Sequence, residues 1–169
     1  MKVYMFFIWL FCLLPVSSFA KIGFGAGVDV NPNAARLSIR NWFSKYSGVE
    51  FGFGPTAKFE DFRFDDMSIQ VKYMKGVRYG RFSRTYLGVI ARYTLIKDPF
   101  FDKDMPSGGI FGGKEWYLGR YRNQGIALEA GVMYGRVKGN QLKFESGIQV
   151  EQFYKEFPVF MGFSYKYYF

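Results

Sequence analysis

The chain contains no histidine and one cysteine, Cys12. Without imidazole, every mechanism that uses histidine as a base, proton shuttle or metal ligand is excluded. The lone cysteine lies in the first twenty residues, and the rest of the chain has no disulfide, metal thiolate or cysteine nucleophile to offer. Long apolar runs are also missing beyond that opening segment, and helical membrane spans with them. What is abundant is aromatic side chains, 22% of 169 residues, together with 20 glycines and a formal charge of +9. Charged residues make up 22%, which fits neither a disordered chain nor a helical membrane bundle. A basic excess of this size points to anionic neighbours.

The opening segment reads as an address. Met1-Lys2 precedes the apolar run Val3–Val16, followed by Ser17-Ser18-Phe19-Ala20 and Lys21. One cation, a short apolar stretch and small residues at Ser18 and Ala20 match a secretory signal cleaved after Ala20. A transmembrane helix would need about 20 apolar residues, and Pro15 with the serines interrupts too soon. The expected organisation is therefore a signal peptide, 1–20, and one domain, 21–169.

Almost all of that domain alternates with period two, the mark of strands with unlike faces. Phe24, Ala26, Val28 and Val30 oppose Gly25, Gly27 and Asp29, and Asn31-Pro32-Asn33 signals a turn. Similar runs cover Leu37–Phe43, Val49–Phe53, Ile69–Tyr79, Leu87–Leu95, Ile126–Tyr134, Leu142–Val150 and Val159–Phe169. Lys114–Tyr121 reads as a weaker strand. Many strands, short turns and no helical period mean an all-β sandwich or barrel.

Which face is inside decides the surroundings. A soluble sandwich buries its apolar set, whereas a membrane barrel shows it to lipid and keeps a polar lumen. The polar face mixes glycines with charges of both signs: Asp29, Arg40, Glu50, Lys72, Arg78, Arg92, Glu115, Glu129, Glu145 and Lys166. Glycine weakens a solvated strand, but inside a narrow barrel it makes room for long side chains that pair. The apolar face carries Phe43, Tyr73, Tyr79, Tyr93, Trp116, Tyr134, Tyr165 and Tyr167, in the manner of interfacial aromatic girdles. The expectation is an antiparallel up-and-down transmembrane β-barrel of 8 strands, with 10 as the alternative because nine runs can be counted and barrels of this kind are even. Pro55 should end or bulge its strand, and Lys75, an outward charge, should lie near an interface rather than at mid-depth.

The C-terminal FSYKYYF, with Phe163, Tyr165, Tyr167 and the terminal Phe169 alternating, resembles the closing strand of Gram-negative outer-membrane proteins. With the signal and domain length, the chain resembles small barrels of the OmpA/OmpX type. The resemblance implies an outer-membrane location, recognition by the outer-membrane assembly machinery, and lipid and lipopolysaccharide as neighbours.

Function is less legible. The segment Ile96–Gly113 reads as the largest loop, with Asp98, Asp102 and Asp104 beside Phe100, Phe101 and Met105. Its aspartate spacing lacks the calcium-loop pattern, which favours a plain solvated loop over a cation site. A second acidic cluster, Glu60-Asp61 and Asp65-Asp66, flanks Phe62–Phe64. An eight-stranded barrel is just wide enough to be filled by its own side chains, so lumen charges should form a closed network rather than a pathway. Barrel enzymes that act on lipid A or phospholipids use histidine, and Ser164 with Lys166 is a chance-level alternative. The Gly23–Gly27 run has no helix after it to hold a phosphate, and no nucleic-acid patch is evident. These readings favour a non-enzymatic barrel of the cell envelope without cofactor or metal, structural or surface-interacting. The alternatives are a small channel or lipid-binding barrel and a lipid-modifying enzyme lacking histidine.

Overall fold

The computed structural model describes the backbone of residues 23–32, 34–56, 66–96, 104–119, 121–143, 149–155 and 159–169, with side chains for all of these except 137–155. The leader 1–20, Glu145, and the loop residues Glu60, Asp61, Asp65, Asp98, Phe100, Phe101 and Asp102 lie outside the described residues.

Nine strands follow in order: β1 (Phe24–Asn31), β2 (Ala34–Trp42), β3 (Ser47–Thr56), β4 (Asp66–Tyr79), β5 (Ser83–Leu95), β6 (Met105–Leu118), β7 (Gln124–Lys143), β8 (Gln149–Lys155) and β9 (Val159–Tyr168). Each pairs antiparallel with its successor from β1 to β8, and β9 pairs with both β1 and β7. The circle β1–β2–β3–β4–β5–β6–β7–β9 closes, giving an all-β barrel of eight strands.

The ninth strand does not enlarge the circle. β9 pairs with the first half of β7, from Gln124↔Tyr167 to Val132↔Val159, and β8 pairs with its second half, from Arg136↔Lys155 to Lys143↔Gln149. Both follow one register along β7, with a single irregularity between Lys138 and Gln141. β6 stops following β7 at Gly135. Of the run Leu142–Val150, the described residues 142–143 and 149–150 belong to the outer part of the last hairpin, prolonged past the barrel, and the count of nine runs resolves to eight barrel strands.

The two ends differ. At one, connections 43–46, 80–82 and 119–123 are short, β1 begins and β9 finishes. At the other lie the turn at Pro32, the connections 57–65 and 96–104, and the β7–β8 hairpin. Lys75 is exposed and faces Ser47, the first residue of β3, near the short-turn end, where its charge was expected. Pro55 keeps register with Met67 one residue before β3 stops, so the missing N–H falls at a strand end.

One expectation needs correction. Of the segment expected to be a loop, Met105–Gly113 is the first part of β6, hydrogen-bonded to both β5 and β7. The alternation is hidden because neighbouring Ile110 and Phe111 take opposite faces: Ile110 is exposed and Phe111 is buried. The glycines on each side make the placement possible. A Cβ at Gly88 would come within 2.6 Å of the Phe111 ring, and one at Gly131 within 2.6 Å of Phe111 Cβ.

Throughout the wall, the apolar set faces out and the charged set faces in. Leu37 (71% exposed), Ile110 (62%), Met161 (68%), Val89 and Leu128 are on the outside. Asp29, Arg40, Glu50, Lys72, Arg92, Glu115, Glu129 and Lys166 are buried. The interior is less uniformly polar than alternation implies: Trp42, Met74, Tyr86, Ile90, Phe111, Met133, Phe160 and Tyr168 form an apolar cluster within it.

Candidate functional site: the closed lumen network

The register sets the charges opposite one another before any side chain is placed. Arg40 on β2 faces Glu50 on β3, which faces Lys72 on β4. Their side chains share the inner face, so a cation, an anion and a cation meet across three adjacent strands. Arg40 Nε donates to Glu50 Oε2 at 2.6 Å, and Lys72 Nζ lies 2.6 Å from Glu50 Oε1.

From that row the network crosses the lumen. Arg40 donates from its two terminal nitrogens to Glu115 (3.1 Å) and Glu129 (2.7 Å). Lys72 reaches Glu129 (2.6 Å) and Asp29 (3.3 Å). Lys166 donates to Asp29 and to the Ser38 hydroxyl, and lies 3.5 Å from Glu50. The Tyr86 hydroxyl donates to Glu129 at 2.6 Å and accepts from Arg40 at 3.3 Å. Glu115 also accepts from the Tyr117 hydroxyl (2.9 Å) and from Tyr168.

Every barrel strand therefore contributes: Asp29 from β1, Arg40 from β2, Glu50 from β3, Lys72 from β4, Tyr86 from β5, Glu115 from β6, Glu129 from β7 and Lys166 from β9. Isolated charges in this interior would be prohibitive, and pairing with hydrogen bonding is what makes them tolerable. Glycine provides the room. A Cβ at Gly113 would sit 2.7 Å from the Tyr86 ring, and one at Gly48 2.7 Å from Trp42.

Above and below the network the lumen is filled differently. Toward the short-turn end, Trp42 packs edge-on to Tyr86 (centroids 5.6 Å apart), and the Arg84 guanidinium lies 3.9 Å over the Trp42 ring. Toward the other end, Arg92 donates to Gln70 (3.5 Å), which donates to Asp29 (3.3 Å). A recess of about 260 Å³, open solvent included, is lined there by Asp29, Gln70, Lys72, Arg92, Phe160 and Ser164 among others.

Of the residues expected in a lumen network, Arg40, Glu50, Lys72 and Glu129 come together directly, and Arg92 joins through Gln70. Lys166 pairs with Ser38 and Asp29, not with Ser164, whose buried hydroxyl has no hydrogen-bond partner among the described residues. Asp29, Glu115 and Lys166, which alternation also set on the polar face, belong to the network, whereas Arg78, expected on the same face, is exposed past the register shift between Gly76 and Arg78. Tyr86 was missed because tyrosine counts as an outward residue by composition, yet its position in step with Gly88 and Arg92 marks the inner face. Asp104, the one described aspartate of the supposed loop cluster, accepts from the Tyr93 hydroxyl (3.1 Å) and the Ile96 N–H (3.2 Å), closing the β5–β6 connection. Phe163, Tyr165, Tyr167 and Phe169 all lie on the outer face of the closing strand, where Tyr167 accepts from Asn123 at 3.0 Å.

Comparison with protein-family models, curated proteins and solved structures finds no match to this chain.

Proposed function

We propose that this chain is a membrane-spanning β-barrel of a Gram-negative outer membrane, non-enzymatic and without a conducting pore, serving the envelope as a structural or surface-interacting element. The observation that carries the reading is the inversion of faces: a continuous wall of exposed aliphatic and aromatic side chains around a buried ionic interior. In water such a wall would far exceed the few hundred Å² of contiguous apolar surface that soluble monomers tolerate. In a bilayer it is the favourable arrangement, and closure leaves no unpaired strand edge in hydrocarbon.

Further features agree. Both ends of the described chain lie at the short-turn end, the pattern of barrels with short periplasmic turns and longer external loops. The leader and the C-terminal aromatic strand suit export followed by assembly from the periplasm. A lumen crossed by ion pairs and hydrogen bonds from every strand favours a plug over a path. The network's carboxylates are engaged by cations or hydroxyls, an arrangement suited to cohesion and leaving no evident base for catalysis.

Heating before electrophoresis and planar-bilayer recording test this reading together. Detergent-folded protein should migrate differently before and after boiling and should give no sustained ion current. Full solubility without detergent would overturn the membrane reading, and steady currents would replace the plug with a channel. Unchanged lipid-A and phospholipid profiles in cells lacking the protein are expected, and an altered profile would point to catalysis.

A further inference from the structure

Among the residues with described side chains, the exposed cations gather at one end. Lys45, Lys75, Arg78, Arg81, Lys114 and Arg122 are exposed, and all lie at or near the short-turn end. Among residues with described side chains, Arg136 is the only exposed cation elsewhere. No exposed carboxylate accompanies them at that end among the described residues, since Glu50 and Glu115 are buried in the lumen. The other described carboxylates are in the lumen or, like Asp66 and Asp104, at the opposite end.

Four of these cations lie beside aromatic rings. Lys45 Nζ is 5.5 Å from the Tyr46 ring centroid and 5.2 Å from that of Tyr79. Arg81 and Arg122 lie 5.2 and 4.9 Å from Phe82, and Lys114 lies 5.2 Å from Trp116. Rings mark the level where hydrocarbon meets water, and a long cationic side chain rooted there places its charge among headgroups. The pairs occur at the β2–β3 turn, the β4–β5 turn, the β6–β7 turn and on β6, an arc of the rim that runs from β2 to β7. A single macromolecule docking from one side would touch only part of so long an arc, whereas lipids line all of it.

We infer that this rim binds the anionic headgroups of phospholipids, such as phosphatidylglycerol, in the leaflet on the side of the chain termini. The inference rests on the membrane reading above and goes beyond it in naming the ligand and the leaflet. It singles out phospholipid, of the lipid and lipopolysaccharide expected as neighbours, as the anion at the short-turn end.

The test is lipid retention by the detergent-folded full chain, measured by native mass spectrometry against an equimolar mixture of phosphatidylglycerol and phosphatidylethanolamine. Phosphatidylglycerol should be retained preferentially, about fivefold given several cations at the headgroup level, and the preference should shrink at high salt. Replacing Lys45, Arg81, Lys114 and Arg122 with Gln should bring retention near parity while the heat-dependent mobility shift persists. Exchanging Lys and Arg at the same positions should keep the preference. Equal retention by the original chain, or a preference that survives neutralisation, would overturn the inference. So would lipid A displacing phosphatidylglycerol at these four residues. A chain that folds without detergent or bilayer would fail the membrane reading itself, an outcome separable from loss of lipid preference in a folded barrel.

Discussion

Arg40 illustrates how much of this interior hangs on single side chains. Its guanidinium serves Glu50, Glu115 and Glu129 at once, with no exposure to solvent. Replacing it with Met would leave three carboxylates converging in a space of low dielectric, with only Lys72, Lys166 and hydroxyls to hold them. Breaking one side of a buried pair typically costs about 3–5 kcal/mol, and Arg40→Met should lower stability by at least that range in urea unfolding from detergent or vesicles. Gly113→Val offers a steric counterpart, since any side chain there meets the Tyr86 ring. It should destabilise the barrel by about 1–3 kcal/mol through overpacking, and the companion change Tyr86→Phe should relieve it only in part, because ring carbons at 2.7 and 2.8 Å stay in the way once the hydroxyl at 2.8 Å is removed. These residues were partly legible in advance. Charges alternating with glycine announced an inner face, but which carboxylate meets which cation depends on strand stagger around a closed circle.

At the scale of elements, β6 and the last hairpin carry the lesson. Glycines at 108, 109, 112 and 113 depress strand propensity, and the adjacency of Ile110 and Phe111 conceals the period. The strand exists because β5 and β7 offer ladders on both sides and their glycines receive Phe111. The hairpin teaches the reverse: its outer half alternates like a barrel strand but is paired only to its own return. Since β9 holds the register on β7 without β8, replacing residues 137–157 with a short turn should leave a closed barrel. The shortened chain should keep its heat-dependent mobility shift and lose less than about 1 kcal/mol, the order expected for a surface-loop change. Loss of folding would mean that the projecting hairpin supports the wall.

For the molecule as a whole, the decisive test separates lipid from water outside the wall. Val89 faces outward, between Tyr73 on β4 and Ile110 on β6. Val89→Lys should cost about 2–4 kcal/mol for folding into vesicles, the price of a cation near mid-depth. In a barrel surrounded by water the same change would be within about 0.5 kcal/mol of neutral. Equilibrium folding titrations into phosphatidylcholine vesicles would read the difference. Lys75→Leu should matter far less, because that position lies beside the rim.

Period-two alternation determined, without any tertiary information, that the chain is all-β and which residues share a face, because a strand turns successive side chains to opposite sides whatever its partners. The same pattern placed Arg40, Glu50, Lys72 and Glu129 together on the inner side. Strand number, the strand character of Met105–Gly113 and the membership of Asp29, Glu115, Tyr86 and Lys166 in one network were settled only by the folded barrel. Closure imposes a stagger that brings together residues far apart in the chain, and no local spacing encodes that stagger. The gathering of the described exposed cations at one rim is of the same kind. Separated along the sequence, they meet because antiparallel strands return every second connection to the same end.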